Sequence, residues 1–210
     1  MTRVVHLIGN GDNAVMYKPS KGIKITCNMP PFAVADVYGT VMVDFKMMRA
    51  LAEGAVRLDA YDWILGARPK KWMEIQPAFY MKYAKNIKEF YLNLPSYAVP
   101  NNGNTMNGYT NFNCGHMAAH YCANKLQADE IHMYGFDSLF DANLRSVTDT
   151  FLSSDRSITN NHRLAENWRP IWQGIFNEFH NTKFVLYHKH NQIKFDIGNN
   201  VEIDTSRKKK

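Results

Sequence analysis

No apolar run in this chain approaches the roughly 18 residues that a membrane-spanning helix requires. Its N-terminus lacks the charged, then apolar, then small-residue order of a secretory signal. Cysteine is scarce: Cys27, Cys114 and Cys122 are widely scattered and have none of the paired spacings that hold zinc. Such a set suits reduced thiols and a cytoplasmic setting, not a disulfide framework. His-Glu-x-x-His and Asp-x-Asp are missing, as are internal repeats, low-complexity blocks and linker-like stretches. The expectation is therefore a single domain over residues 4–204 with a basic tail at 205–210, no resident cofactor and no bound metal.

What is present is a globular composition with a basic balance. Hydrophobic residues make up 45%, enough for a sizeable core, and Lys and Arg exceed Asp and Glu by a net charge of +6. Positive charge gathers in Arg68-Pro69-Lys70-Lys71-Trp72, in Lys82, Lys85 and Lys88, and in the terminal Arg207-Lys208-Lys209-Lys210. This balance favours anionic partners such as nucleotides and nucleic acid, and is equally a solvated surface. Trp63, Trp72 and Tyr80 read as exposed aromatics for an oligomer contact or an acceptor platform. The oligomeric state is not legible.

Residues 4–8 (Val-Val-His-Leu-Ile) read as a buried first strand that ends directly in Gly9-Asn10-Gly11. Glycines there let the backbone turn sharply and approach a ligand. Further strands are expected at 22–27, 40–43, 63–65, 130–134 and 183–187, with a short element at 34–38 and a weak strand pair at 193–195 and 201–203. Helices are expected at 46–53, 77–91, 114–126 and 164–179. Strands alternating with helices predict an α/β, Rossmann-like domain with a largely parallel sheet and helices on both faces. The long stretch 95–113, rich in Asn, Gly, Pro, Thr and Tyr, reads as a functional loop.

In such a sheet the carboxyl ends of the strands face the ligand crevice. Asn10, Asn28, Asp44 and Asp137 all fall at strand ends, where amides and carboxylates bind ribose hydroxyls or base edges. Each is also an ordinary turn residue. Asn113-Cys114-Gly115 opens the 114–126 helix, with Asn113 as N-cap, and a helix N-terminus suits a phosphate. His116 and His120 share a helix face, but no acidic ligand is patterned beside them. His188 and His190 alternate beyond a strand and read as surface residues.

Four stretches together resemble the bacterial CMP-sialic-acid-dependent sialyltransferases. They are Leu7-Ile8-Gly9-Asn10-Gly11-Asp12, Thr26-Cys27-Asn28, Asn113-Cys114-Gly115 and Ile131-His132-Met133-Tyr134-Gly135-Phe136-Asp137. The same signature is similar to a related family that transfers diphosphate to a hydroxymethylpterin. The resemblance implies a nucleotide-sugar donor held by Gly9, Asn10, Gly11, Asn28, Asn113, Cys114, Gly115 and Asp137, to which the strand-end position adds Asp44. It also implies that His162 is the general base, an imidazole that takes the proton of an acceptor hydroxyl as the sugar bond forms. The chain departs from that family where Asp12-Asn13 follow Gly-Asn-Gly and where no phosphate-binding tyrosine pair follows Asp137. Arg145, Arg156 and Arg163 are candidates to neutralise the phosphate instead. The expected activity is metal-independent glycosyl transfer to a glycan or to a hydroxymethylated base in phage-type DNA. The alternatives are ATP-dependent diphosphate transfer to a hydroxymethyl group and a non-catalytic nucleotide-binding module.

Overall fold

The computed structural model describes residues 2–98, 112–141 and 168–206. Among these residues eight strands form one sheet: β1 (Val4–Ile8), β2 (Ile23–Cys27), β3 (Val37–Met42), β4 (Trp63–Leu65), β5 (Ile87–Phe90), β6 (Glu130–Tyr134), β7 (Lys183–Tyr187) and β8 (Val201–Asp204). Their order is β5-β4-β3-β2-β1-β6-β7-β8, and every neighbouring pair is parallel. The chain winds outward from β1 to β5, returns to the middle, and winds out the other way from β6 to β8. All carboxyl ends thus share one edge, and the strand order reverses between β1 and β6. The crevice beside such a reversal is where open α/β sheets bind ligands.

The helices are α1 (Phe45–Ala52), α2 (Ala67–Ile75), α3 (Pro77–Tyr83), α4 (Cys114–Asn124) and α5 (Arg169–Glu178). The side chains of each strand alternate between the two faces of the sheet. On one face Leu7, Ile25, Val41, Met133 and Phe184 pack against Ala118, Ala119 and Cys122 of α4 and Ile175 and Phe176 of α5. The small residues of α4 let its backbone lie close to the central strands. On the other face Met42, Trp63 and Leu65 meet Met47, Met48 and Leu51 of α1 and Met73 of α2. Ile8, Tyr134 and Tyr187 are covered there by Ala14 and Met16 of the short 3-10 helix Asp12–Met16. Burying each large apolar side chain contributes about 1.5–3 kcal/mol, so the two-sided core outweighs any single loop.

Four local expectations change. Instead of separate elements at 34–38 and 40–43, residues 37–42 form one strand, β3, running through Gly39, and a turn at 35–36 precedes it. The basic segment after Gly66, expected as a turn, forms α2. The helix expected over 77–91 stops at Tyr83, and its second half becomes edge strand β5. The last two apolar stretches do not pair: residues 201–204 extend the sheet as β8 beside β7, while Ile193 and Phe195 pack on the core. Trp63 is fully buried, with its indole N–H donating to the Leu58 carbonyl at 3.0 Å, so it takes no part in an exposed aromatic surface. Among the described residues no helix is long and apolar enough to cross a membrane.

Candidate functional site

The loops after β1 and β6 are zipped together at the strand-order reversal. Gly9 N–H donates to the Tyr134 carbonyl at 2.7 Å and Gly11 N–H to the Gly135 carbonyl at 2.9 Å. A Cβ on Gly9 would stand 2.7 Å from the Gly135 oxygen, and one on Gly11 2.6 Å from the same atom. These glycines are explained first by the approach of two backbones to each other. Asp137 lies in the same seam. Its carboxylate accepts the Asn13 side-chain amide at 2.9 Å and the Asn13 backbone N–H at 3.2 Å, which caps the first 3-10 helix. Both oxygens of Asp137 are therefore engaged inside the protein.

The start of α4 reaches this seam from the other face. A Cβ on Gly115 would lie 2.9 Å from Cε1 of Phe136, and the Gly9 position meets the same ring at 3.2 Å. Gly9, Gly115 and Phe136 thus converge although they come from three elements. Asn113 holds the helix start through a reciprocal cap: its side-chain oxygen accepts His116 N–H at 3.0 Å, and its own N–H donates to His116 Nδ1 at 3.1 Å. The Nδ1 acceptor role leaves the proton on Nε2, which donates to the Trp168 carbonyl at 3.1 Å. His116 is therefore a structural clamp between α4 and the entry to α5.

Around the α4 N-terminus lie the ends of β1, β2 and β3. Asn10 Nδ2 donates to the Met29 carbonyl at 2.6 Å, tying the first two strand ends together. Cys114 donates its S–H to the Val41 carbonyl at 2.8 Å, and burial pushes its thiol well above the usual range, with neighbouring Cys27 and Asp44 adding to the shift. It is a packing residue and not a nucleophile. Asn28 has a left-handed backbone (φ 54°), a conformation Asn tolerates better than most residues. Its carbonyl accepts from the Thr40 hydroxyl. Its side-chain Oδ1 is buried and has no hydrogen-bond partner among the described residues.

Asp44 follows β3 at the N-cap position of α1 and is paired with Arg68 at 3.3 Å. Desolvation raises its pKa in spite of Arg68 and Lys46, although part of the side chain reaches solvent. Asn10, Asn28, Asp44, Asn113, Cys114 and Gly115 thus form one neighbourhood, with Gly9, Gly11 and Asp137 along its seam. His162, Arg145, Arg156 and Arg163 lie outside the described residues.

Farther along the carboxyl edge a second group assembles at the end of β7. His188 is fully buried, not a surface residue, and its ring stacks on Phe140 at 4.0 Å. His190 Nε2 lies 2.9 Å from Asp141 Oδ1, and His188 Nε2 lies 3.5 Å from Asp141 Oδ2. Burial lowers the pKa of His188. Burial works to raise Asp141, but the hydrogen bond from His190 and the electrostatic influence of His190, His188 and Lys189 hold it below its usual value. Arg169, at the start of α5, interacts electrostatically with Asp141, and desolvation lowers its own pKa. The sequence signal for this group was His-Lys-His directly after a strand. Asp141 gave no signal, because only the turn after β6 carries it there.

The chain has no match among family models, curated proteins or solved structures, so the functional reading stands on these residues.

Proposed function

We propose that this protein is a nucleotide-sugar-dependent glycosyltransferase that moves a sugar to an acceptor hydroxyl, on a hydroxymethylated base in DNA or on a glycan. The observation that carries the reading is the Asn28 side-chain oxygen. A buried acceptor without a partner costs about 1–3 kcal/mol, which a ligand N–H or O–H in that position would recover. It lies beside the first turn of α4, where Asn113 takes the His116 N–H and the helix start still favours an anion through its dipole. Asp44 stands close enough to Cys114 to act on it electrostatically, and its carboxylate would accept hydrogen bonds from a ribose or a base. His162 supplies the base for the acceptor hydroxyl, and Arg145, Arg156 and Arg163 supply charge for the leaving phosphate. Diphosphate transfer would need a carboxylate pair for magnesium, and at Asp137 an ion would compete with the bond that each oxygen accepts from Asn13.

The test is thermal unfolding of the full chain with CMP-, UDP- and GDP-sugars. A ligand that binds only the folded protein stabilises it by about 2.7 kcal/mol at a hundred times its Kd. One donor class is expected to raise Tm, and Asn28→Gly, which keeps the left-handed backbone available, is expected to lose most of that rise. Absence of a shift with all three classes overturns the reading.

A further inference from the structure

We infer that Asp141, His188 and His190 form a binding site for one divalent transition-metal ion at the carboxyl end of β7. Their ligand atoms all lie within 4.8 Å of one another. Two of the separations are 2.9 Å, His190 Nε2 to Asp141 Oδ1, and 3.5 Å, His188 Nε2 to Asp141 Oδ2. Ligands about 2.0–2.2 Å from a tetrahedral zinc ion stand roughly 3.4 Å apart, so an ion enters with small side-chain movements.

The independent observation is His188. The residue is 0% exposed, and its Nε2 points into the cluster with no hydrogen-bond partner among the described residues. A buried imidazole nitrogen facing a carboxylate at 3.5 Å, too far for a hydrogen bond, is a costly arrangement in an empty site and a ready ligand in a filled one. The ring is held for that role. Phe140 stacks on one side, and Nδ1 lies 3.3 Å from both the His190 N–H, from which it accepts while Nε2 carries the proton, and the His190 carbonyl, to which it donates once metal entry moves that proton to Nδ1 and bares the Nε2 lone pair. Metal-ligating histidines are oriented in this way by a bond at the other nitrogen.

His190 is set for an empty site. Its Nδ1 accepts Gln192 N–H at 3.2 Å, so Nε2 carries the proton and donates to Asp141. Metal entry replaces that proton on Nε2 and shifts it to Nδ1 at the expense of the Gln192 contact. Lys189 stands 3.6 Å from Asp141 Oδ2, but its side chain is 67% exposed and can swing away. Two imidazoles with one carboxylate select a first-row transition ion over magnesium or calcium, and three protein ligands leave positions open for water or an anionic group. The site differs from the expected absence of metal and does not depend on the identity of the sugar donor.

Cobalt(II) reports on it directly, through visible ligand-field bands that solvated Co2+ shows only weakly. Titration of the full chain, freed of metal and without nucleotide, is expected to give these bands at one ion per chain, and Zn2+ is expected to displace them. Asp141→Asn preserves shape, and His190→Ala removes a half-buried ring. Each is expected to weaken Co2+ binding about tenfold or more, with an unchanged far-UV circular dichroism spectrum. Absence of bands in the parent protein, or bands of equal strength and affinity in both variants, overturns the proposal.

Discussion

His120 shows how much a single residue depends on what surrounds it. It is buried on α4, its Nδ1 is 2.7 Å from the Tyr91 hydroxyl, and its Nε2 is 3.3 Å from Glu178. Asn124 donates to the same Tyr91 oxygen at 2.9 Å, and the Tyr97 hydroxyl donates to Glu178 at 2.5 Å, so the group links α4, the end of β5 and α5. Desolvation lowers the His120 pKa, and the Glu178 charge only partly offsets this. Its folded-state pKa is therefore below the unfolded value of about 6.5. As pH falls through about 6.5 the unfolded chain takes up the proton first, so stability declines until the folded pKa is passed. Urea denaturation between pH 7.5 and about 5 is expected to show this decline, and His120→Asn is expected to make it shallower, leaving the part that buried His188 contributes with the same sign. An equal slope in both proteins would exclude the assignment. The spacing of His116 and His120 was legible as one helix face. That both are structural, one clamping Trp168 and the other facing Glu178, required the partners to be present.

Elements follow the same logic. Residues 87–90 contain Lys88 and Glu89, good helix formers, and continue the run that begins at Pro77. They form a strand because β4 offers an unpaired edge, and buried Asn86 pins the chain beside it, donating to the Asp59 and Tyr61 carbonyls at 2.8 and 3.1 Å. Tertiary pairing overrides propensity there. For α4 the local signal and the fold agree: Asn113 caps, and Gly115 allows the first turn to press on Phe136. Gly115→Ala gains up to about 1 kcal/mol of helix propensity. It also forces a Cβ to within 2.9 Å of an aromatic carbon, and overpacking of this kind costs about 1–3 kcal/mol. The variant is expected to be less stable by about 1 kcal/mol in chemical denaturation. A gain in stability would mean that Phe136 gives way freely and that the α4 start is loosely held.

At the scale of the whole molecule, the reversal between β1 and β6 gathers residues far apart in the chain onto one edge. The neighbourhood around Asn28 and Asp44, proposed above to hold the donor, and the cluster of Asp141, His188 and His190 both lie on it. Donor binding and group transfer separate under the proposed roles. His162→Ala is expected to retain the thermal shift given by the donor while losing transfer at least about a hundredfold, the contribution of a positioned base. Loss of both would make His162 a structural or binding residue, and retention of both would make the base another group.

The sequence by itself determined the strands that are apolar throughout, because a strand buried on both faces must be, and it marked Gly9, Asn10, Asn28, Asp44 and Asp137 as strand ends because polar and turn residues interrupt those runs. It also marked the capped start of α4. Only the tertiary structure decided which of these groups remain available. Asp137 is bonded at both oxygens by Asn13, Cys114 is turned inward to Val41, and the Asn28 side-chain oxygen has no partner among the described residues. The same holds for His188, whose burial and facing carboxylate come from the turn after β6 folding against the end of β7. Periodicity records which face a residue takes; hydrogen-bond saturation depends on neighbours distant in sequence, and no local pattern encodes it.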